Sequence, residues 1–192
     1  MGYFALAAPA KKAVLHFGLI ALFFSWLGDV FLIFQHRNSL YFMLGLGAFL
    51  IAHLTYVYTY KKARIEGVET HGLLSTQRIR YTFMLILAGL GLVYVLFPYL
   101  GDMMIPVIVY ASVIVLMAIY ALNRFGKTSL SSFFLVFLGA IVFMVSDSTL
   151  AINKFMQPIP YAGVWIMLTY ILAQYLIVEG LLKHMEKALL NQ

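Results

Sequence analysis

Six apolar runs set what this chain can fold into. They fall at about 13–34, 39–60, 79–100, 103–123, 131–153 and 160–182, each long enough to cross about 30 Å of hydrocarbon at 1.5 Å per residue. Inside lipid the backbone must satisfy its own N–H and C=O groups, so runs of this length fold as helices. The connections are short except for 61–78, which carries Lys61, Lys62, Arg64, Glu66, Glu69 and Arg78. None leaves room for a soluble domain. The expected fold is all-α: one polytopic transmembrane helical bundle over residues 1–192. Composition agrees, with 64% hydrophobic and 10% charged residues, against roughly 25% charged in an ordinary soluble domain. Cysteine is absent, which excludes disulfides and thiolate metal sites. The sequence pI of about 9.5 would suit nucleic acid, but the basic residues sit in short loops between apolar runs. Their placement is topological, and no nucleic-acid partner is expected.

Lys and Arg give the orientation, because they concentrate in cytoplasmic loops. One side collects Lys11 and Lys12, then Lys61, Lys62, Arg64, Arg78 and Arg80, then Arg124 and Lys127, and finally Lys183 and Lys187. The other side has only Arg37 and Lys154. Both termini are therefore expected in the cytoplasm, in a multi-pass protein.

Three of the seven acidic residues lie inside these runs: Asp29 in the first, Asp147 in the fifth, and Glu179 near the inner end of the last, where it can reach the interface. A carboxylate at mid-membrane costs roughly 2.5–3.5 kcal/mol of insertion free energy, so it faces a partner or a wet cavity. With the topology above, Asp29 and Asp147 sit at similar depth in the half away from the cytoplasm. Ser25 lies one turn below Asp29 on the same face. Tyr110 is near the same level on the fourth helix. His53 and Tyr56 are spaced i, i+3 on the second helix, and Tyr170 and Gln174 i, i+4 on the last. A cavity open to the outer leaflet, floored by His53 or Gln174, would collect them all. Plainer readings stand beside this one. A lone Asp can be hydrogen-bonded across a helix interface, and Lys154, two turns beyond Asp147, can reach back as its counter-ion. His53 can be a satisfied interface histidine, and the three tyrosines packing residues. Gly28, Gly45, Gly47, Gly89, Gly91 and Gly139 are expected to allow close helix approach. Glu179 should pair with Lys183 four residues on. His36, His71 and His184 fall in loops or tails. The spacing offers no support for a metal site, and no cofactor is expected.

At these residues the chain resembles the YhhN family, the bacterial relatives of animal lysoplasmalogenase. The resemblance covers nearly the whole chain. It rests on Leu19–Leu32 with Ser25-Trp-Leu-Gly-Asp29, on Gly45–Tyr56, on Gly139–Phe155 and on Met167–Ile177. The third segment is the most specific: Ser146-Asp147-Ser148 near a helix end, followed by Leu-Ala-Ile-Asn153-Lys154-Phe155. The family pattern carries over to Ser25, Asp29, His53, Tyr56, Ser146, Asp147, Asn153, Lys154, Phe155, Tyr170 and Gln174. Family members usually have about eight membrane-length runs. This chain supplies six, and residues 1–12 read as the tail of a helix whose start is absent.

The resemblance implies a membrane lipid substrate, a lysophospholipid whose single chain is joined to glycerol by a vinyl ether. Hydrolysis would give a fatty aldehyde and a glycerophospho-alcohol. Enol ethers hydrolyse through acid, with proton delivery to carbon as the slow step and an oxocarbenium ion as its product. The enzyme then needs a protonated carboxyl and a nearby anion. Two carboxyls in one low-dielectric site divide those roles, because like charges resist ionising together, as in glycosidases. One of Asp29 and Asp147 is expected to be the general acid and the other to stabilise the cation and orient water. Ser25, His53 and Tyr110 would tune or bridge them. Two other classes fit the same residues: a proton-coupled carrier that cleaves nothing, and a metal-dependent membrane hydrolase of an amide or ester. The sequence gives no oligomeric state.

Overall fold

The computed structural model describes the backbone of residues 2–64 and 72–190 and the side chains of 12–64 and 72–186. Lys11 and Lys187 as side chains, and Glu66, Glu69 and His71 altogether, lie outside the described residues. The described elements are helical: α1 Gly2–Ile33, α2 Ser39–Lys62, α3 Ser75–Leu96, α4 Met104–Leu122, α5 Leu130–Ala151 and α6 Ala162–Leu190. Short 3₁₀ turns at Phe97–Tyr99 and Gly101–Met103 link α3 to α4, and a π turn at Ile152–Met156 extends α5. Six helices are long and apolar enough to cross a membrane. The protein is an integral, multi-pass membrane protein.

Three boundaries differ from the expected ones. Residues 2–12, expected as the tail of a separate helix, continue unbroken into α1. The third helix begins at Ser75, where the Gln77 side chain accepts from the Leu74 N–H, so Arg78 and Arg80 lie on the helix. The last helix runs on to Leu190, which puts His184 on α6 rather than in a tail. There His184 is buried against Thr128, with Nδ1 2.8 Å from the hydroxyl. Glu179 and Lys183 stand 3.7 Å apart across one turn of α6, as expected.

The helices form two tight hairpins, α1 with α2 and α5 with α6, and α4 packs between α2 and α5. Glycines let the backbones close. A Cβ at Gly139 would stand 3.0 Å from the Ala173 carbonyl oxygen and the Ile177 nitrogen, and one at Gly180 2.9 Å from the Val136 nitrogen. Gly28, Gly45 and Gly89 likewise meet Phe49, Leu32 and Val115. Gly47 and Gly91 do not: no atom lies within 4 Å of an added Cβ at either, so their expected packing role is not realised.

At the basic end of the bundle Arg124, just past α4, is fully buried. Its guanidinium donates to the Ala63 carbonyl at 3.2 Å, to the Ser132 carbonyl at 3.4 Å and to Ser132 Oγ at 2.8 Å. Ser132 in turn donates to the Gly180 carbonyl at 2.6 Å. One side chain thus ties α2, α4, α5 and α6 together. Burial pulls its pKa down to about 10.

Candidate active site

At the opposite end the polar residues of five helices converge. Tyr110 on α4 donates its hydroxyl proton to Asp147 Oδ2 on α5. His53 Nε2 on α2 lies 3.0 Å from the Tyr110 oxygen and 3.4 Å from Asp147 Oδ2. His53 is fully buried and its Nδ1 has no hydrogen-bond partner. A buried, unpaired N–H costs about 1–3 kcal/mol, so the ring proton belongs on Nε2, where it serves both oxygens. Tyr110, His53 and Asp147 form a closed three-way contact.

The second carboxylate has its own buttress. Tyr170 on α6 donates to Asp29 Oδ2 on α1 at 2.8 Å. One turn further along α6, Gln174 Oε1 accepts from Tyr56 on α2 at 2.6 Å. The two groups are joined by aromatic rings. Phe143 stands edge-on to both His53, at 4.7 Å between centroids, and Tyr170, at 5.5 Å. Phe49 makes similar contacts with His53 and Tyr170. Through these rings the Asp147 group and the Asp29 group belong to one contiguous network. Ser25 Oγ, His53 Nδ1 and Gln174 Nε2 are buried without partners, in a neighbourhood where such atoms are costly.

Three expected members of the site are engaged elsewhere. Ser146 donates to the Ile166 carbonyl at 3.0 Å and clamps α5 to α6. Asn153 Oδ1 accepts from the Ile159 N–H at 2.9 Å and shapes the turn into α6. Lys154 is not the counter-ion of Asp147. The π turn closes i→i+5 contacts and winds more slowly than an α-helix, so seven residues no longer return to the same face. Lys154 Nζ instead lies 3.3 Å from Gln35 Oε1 and 4.9 Å above the Phe42 ring. His53 takes the expected place of that lysine.

The expected single cavity is also corrected. A cavity of about 230 Å³ opens among α2, α3, α4 and α5, but of the candidate and family-pattern residues named from the sequence only Tyr110, Asp147 and Phe155 line it. Asp29, His53, Tyr56, Tyr170 and Gln174 are not among its walls; they form a packed network behind it. Ser148, beside Asp147, adds a hydroxyl to the lining that the sequence reading did not single out. Phe49 and Phe143 were missed as well, although each lies four residues before a site residue, His53 or Asp147, and so shares its face. Among the described residues no three His, Asp or Glu side chains gather closely enough to hold a metal.

Fold and site together define a class: a polytopic helical membrane protein with a Tyr- and His-buttressed pair of carboxylates inside the bundle. No solved structure matches the chain significantly. The YhhN family model matches residues 1–181, and the chain belongs to the YhhN family. It is similar to a protein named lysoplasmalogenase TMEM86A from Bos taurus, 35% identical over 178 residues, covering 91% of this chain and 67% of that protein. Lysoplasmalogenase TMEM86B from Homo sapiens is 34% identical over 85% of this chain and 62% of its own length. A lysoplasmalogenase from Mycobacterium tuberculosis is 30% identical over 72% of this chain and 50% of its own length.

Proposed function

We propose that this protein is a membrane hydrolase that cleaves the vinyl ether bond of lysoplasmalogen-type lysophospholipids. Support for the hydrolase class comes from the relatives named lysoplasmalogenase, which align with up to 91% of the chain. The observation that carries the chemistry is the two intramembrane carboxylates, each hydrogen-bonded by a tyrosine and linked through the rings of Phe143 and Phe49. In this reading one aspartate, protonated, delivers its proton to the vinyl carbon distal to the ether oxygen. The resulting oxocarbenium ion is stabilised by the other carboxylate. Water adds to the carbon bonded to oxygen and loses a proton to a carboxylate, giving a hemiacetal. The hemiacetal collapses as that proton passes to the departing glycerol oxygen and the hemiacetal hydroxyl gives its proton to a carboxylate, so the acid is restored and one water is consumed per aldehyde and alcohol formed.

Lysolipid geometry fits the depth of the site. The vinyl ether of a single-chain lipid lies just under the headgroups, and Asp29 and Asp147 each lie four residues, about 6 Å, before the ends of α1 and α5 at 1.5 Å per residue. With the basic loops in the cytoplasm, the site faces the outer leaflet of a bacterial inner membrane.

The test is aldehyde release from a defined lysoplasmalogen by the purified protein in detergent, beside an identical acyl lysolipid, with and without EDTA. Aldehyde from the vinyl ether alone, unchanged by EDTA, is the expected result. Loss with EDTA would move the reading to a metal-dependent hydrolase. No aldehyde, with cargo movement driven by a proton gradient, would make the protein a carrier.

A further inference from the structure

The cavity beside Asp147 has a shape and polarity that go beyond the pair of carboxylates. On α4 it runs from Val107 to Val115, eight residues or about 12 Å. Along α5 its lining extends further, from Ile141 to Ala151, ten residues or about 15 Å, so the cavity of about 230 Å³ is long and narrow. Its walls are aliphatic and aromatic apart from Tyr110, Asp147 and Ser148. An apolar slot with a few convergent polar groups is the usual form of a small-molecule site.

The polar groups are not scattered. The lower end, at Leu85, Ile114 and Ile141, is wholly apolar. Tyr110 and Asp147 lie above it, and Phe42, Ala151 and Phe155 form the upper end at the outer ends of α2 and α5. Phe42 and Phe155 pack edge-to-face at 5.6 Å, and the Lys154 ammonium stands over Phe42 on an exposed side chain. From bottom to top the slot therefore offers hydrocarbon, then a carboxyl, then a cation. A lysophospholipid offers the matching order: chain, ether linkage, phosphate. Access from lipid is through α3, which packs chiefly on α4 and whose Ala88, at the cavity edge, is exposed.

We infer that this cleft is the binding slot for the single chain of a lysophospholipid, with Lys154 at its mouth for the phosphate and Asp147, rather than Asp29, against the linkage. The inference rests on the proposed hydrolase reading for the chemistry but not for the binding. Asp29, held by Tyr170 behind Phe143, acts on the reaction through its charge without lining the slot.

The test separates binding from turnover. The probe is a non-hydrolysable acyl lysophosphatidylethanolamine with a diazirine at mid-chain, photolysed with the detergent-solubilised protein and mapped by mass spectrometry. Label should concentrate at Leu85, Ile114 and Ile141, be competed by lysoplasmalogen, and fall at least several-fold in Ala111→Leu, which fills the slot. Should that variant fail to fold, Ala88→Phe at the exposed edge serves the same purpose. Lys154→Gln should raise KM about tenfold with kcat little changed, the size expected for losing one charge-assisted contact of about 1.4 kcal/mol. Label spread evenly over lipid-facing positions such as Phe134 and Leu138, and not competed, overturns the slot, whether or not aldehyde is formed. Competed label in the cleft without aldehyde release upholds the slot and overturns the hydrolase reading.

Discussion

Tyr110→Phe isolates what the Asp147 contact contributes. The substitution deletes one hydroxyl and keeps the ring, which packs 5.5 Å from His53 and is almost fully buried. That hydroxyl donates to Asp147 Oδ2 and sits 3.0 Å from His53 Nε2. A hydrogen bond to a charged group contributes about 1.5–3 kcal/mol. If the whole of it is felt in the transition state, at about 1.36 kcal/mol per decade, kcat/KM falls roughly 10- to 150-fold. His53 Nε2, already 3.4 Å from the same carboxylate oxygen, takes up part of the lost contact, so the lower half of that range is expected. Folding stability should fall by about 1–2 kcal/mol, because the ring volume is kept but the carboxylate loses one of its two donors. The assay is aldehyde release at several substrate concentrations, paired with a pH profile, for Tyr110→Phe, His53→Gln and the double variant. Both side chains act on one carboxylate oxygen, so their effects should be non-additive. A change below threefold with an unmoved pH profile, or strict additivity, would refute the idea that Tyr110 and His53 jointly set the state of Asp147.

Other expectations follow from the same geometry. Asp147→Asn should lower kcat by about 100-fold or more, the usual contribution of a general acid or base, and Asp29→Asn should remove most turnover and alter the pH profile; near-normal activity of folded Asp29→Asn sinks the two-carboxylate assignment. Because the acid must carry its proton, kcat/KM should decline as pH rises, and a rate that climbs steadily with pH would contradict acid catalysis. Ser132→Ala should destabilise the bundle by about 2–3 kcal/mol in denaturant titration, because it orphans both an Arg124 N–H and the Gly180 carbonyl. Gly139→Val should cost a similar amount, about 2–3 kcal/mol, by driving α5 off α6, whereas Gly47→Val, with open space around it, should be near neutral.

The class of this protein was legible in one dimension. Apolar runs the length of a bilayer leave the backbone no choice but helix. Glu179–Lys183 was readable because a helix surface repeats at four residues whatever surrounds it. Asp29, Asp147, His53, Tyr110, Tyr170, Tyr56 and Gln174 could be picked out because polar groups in lipid are costly and so need partners. Which partners they take could not. Asp147 meets Tyr110 and His53, 37 and 94 residues away, and Asp29 meets Tyr170, 141 residues away. Such pairings depend on helix rotation and on the order of helices around the bundle, neither of which has a period along the chain. Lys154 marks the same boundary locally: an α-helical spacing put it under Asp147, and a five-residue π turn carried it to Gln35 and Phe42. The sequence alone determined that this chain crosses the membrane and which residues are too polar to sit there idle. The packing of α2, α4 and α5 decided that only Asp147 and Tyr110 among them face a cavity, because a void belongs to the space between helices and to no single one of them.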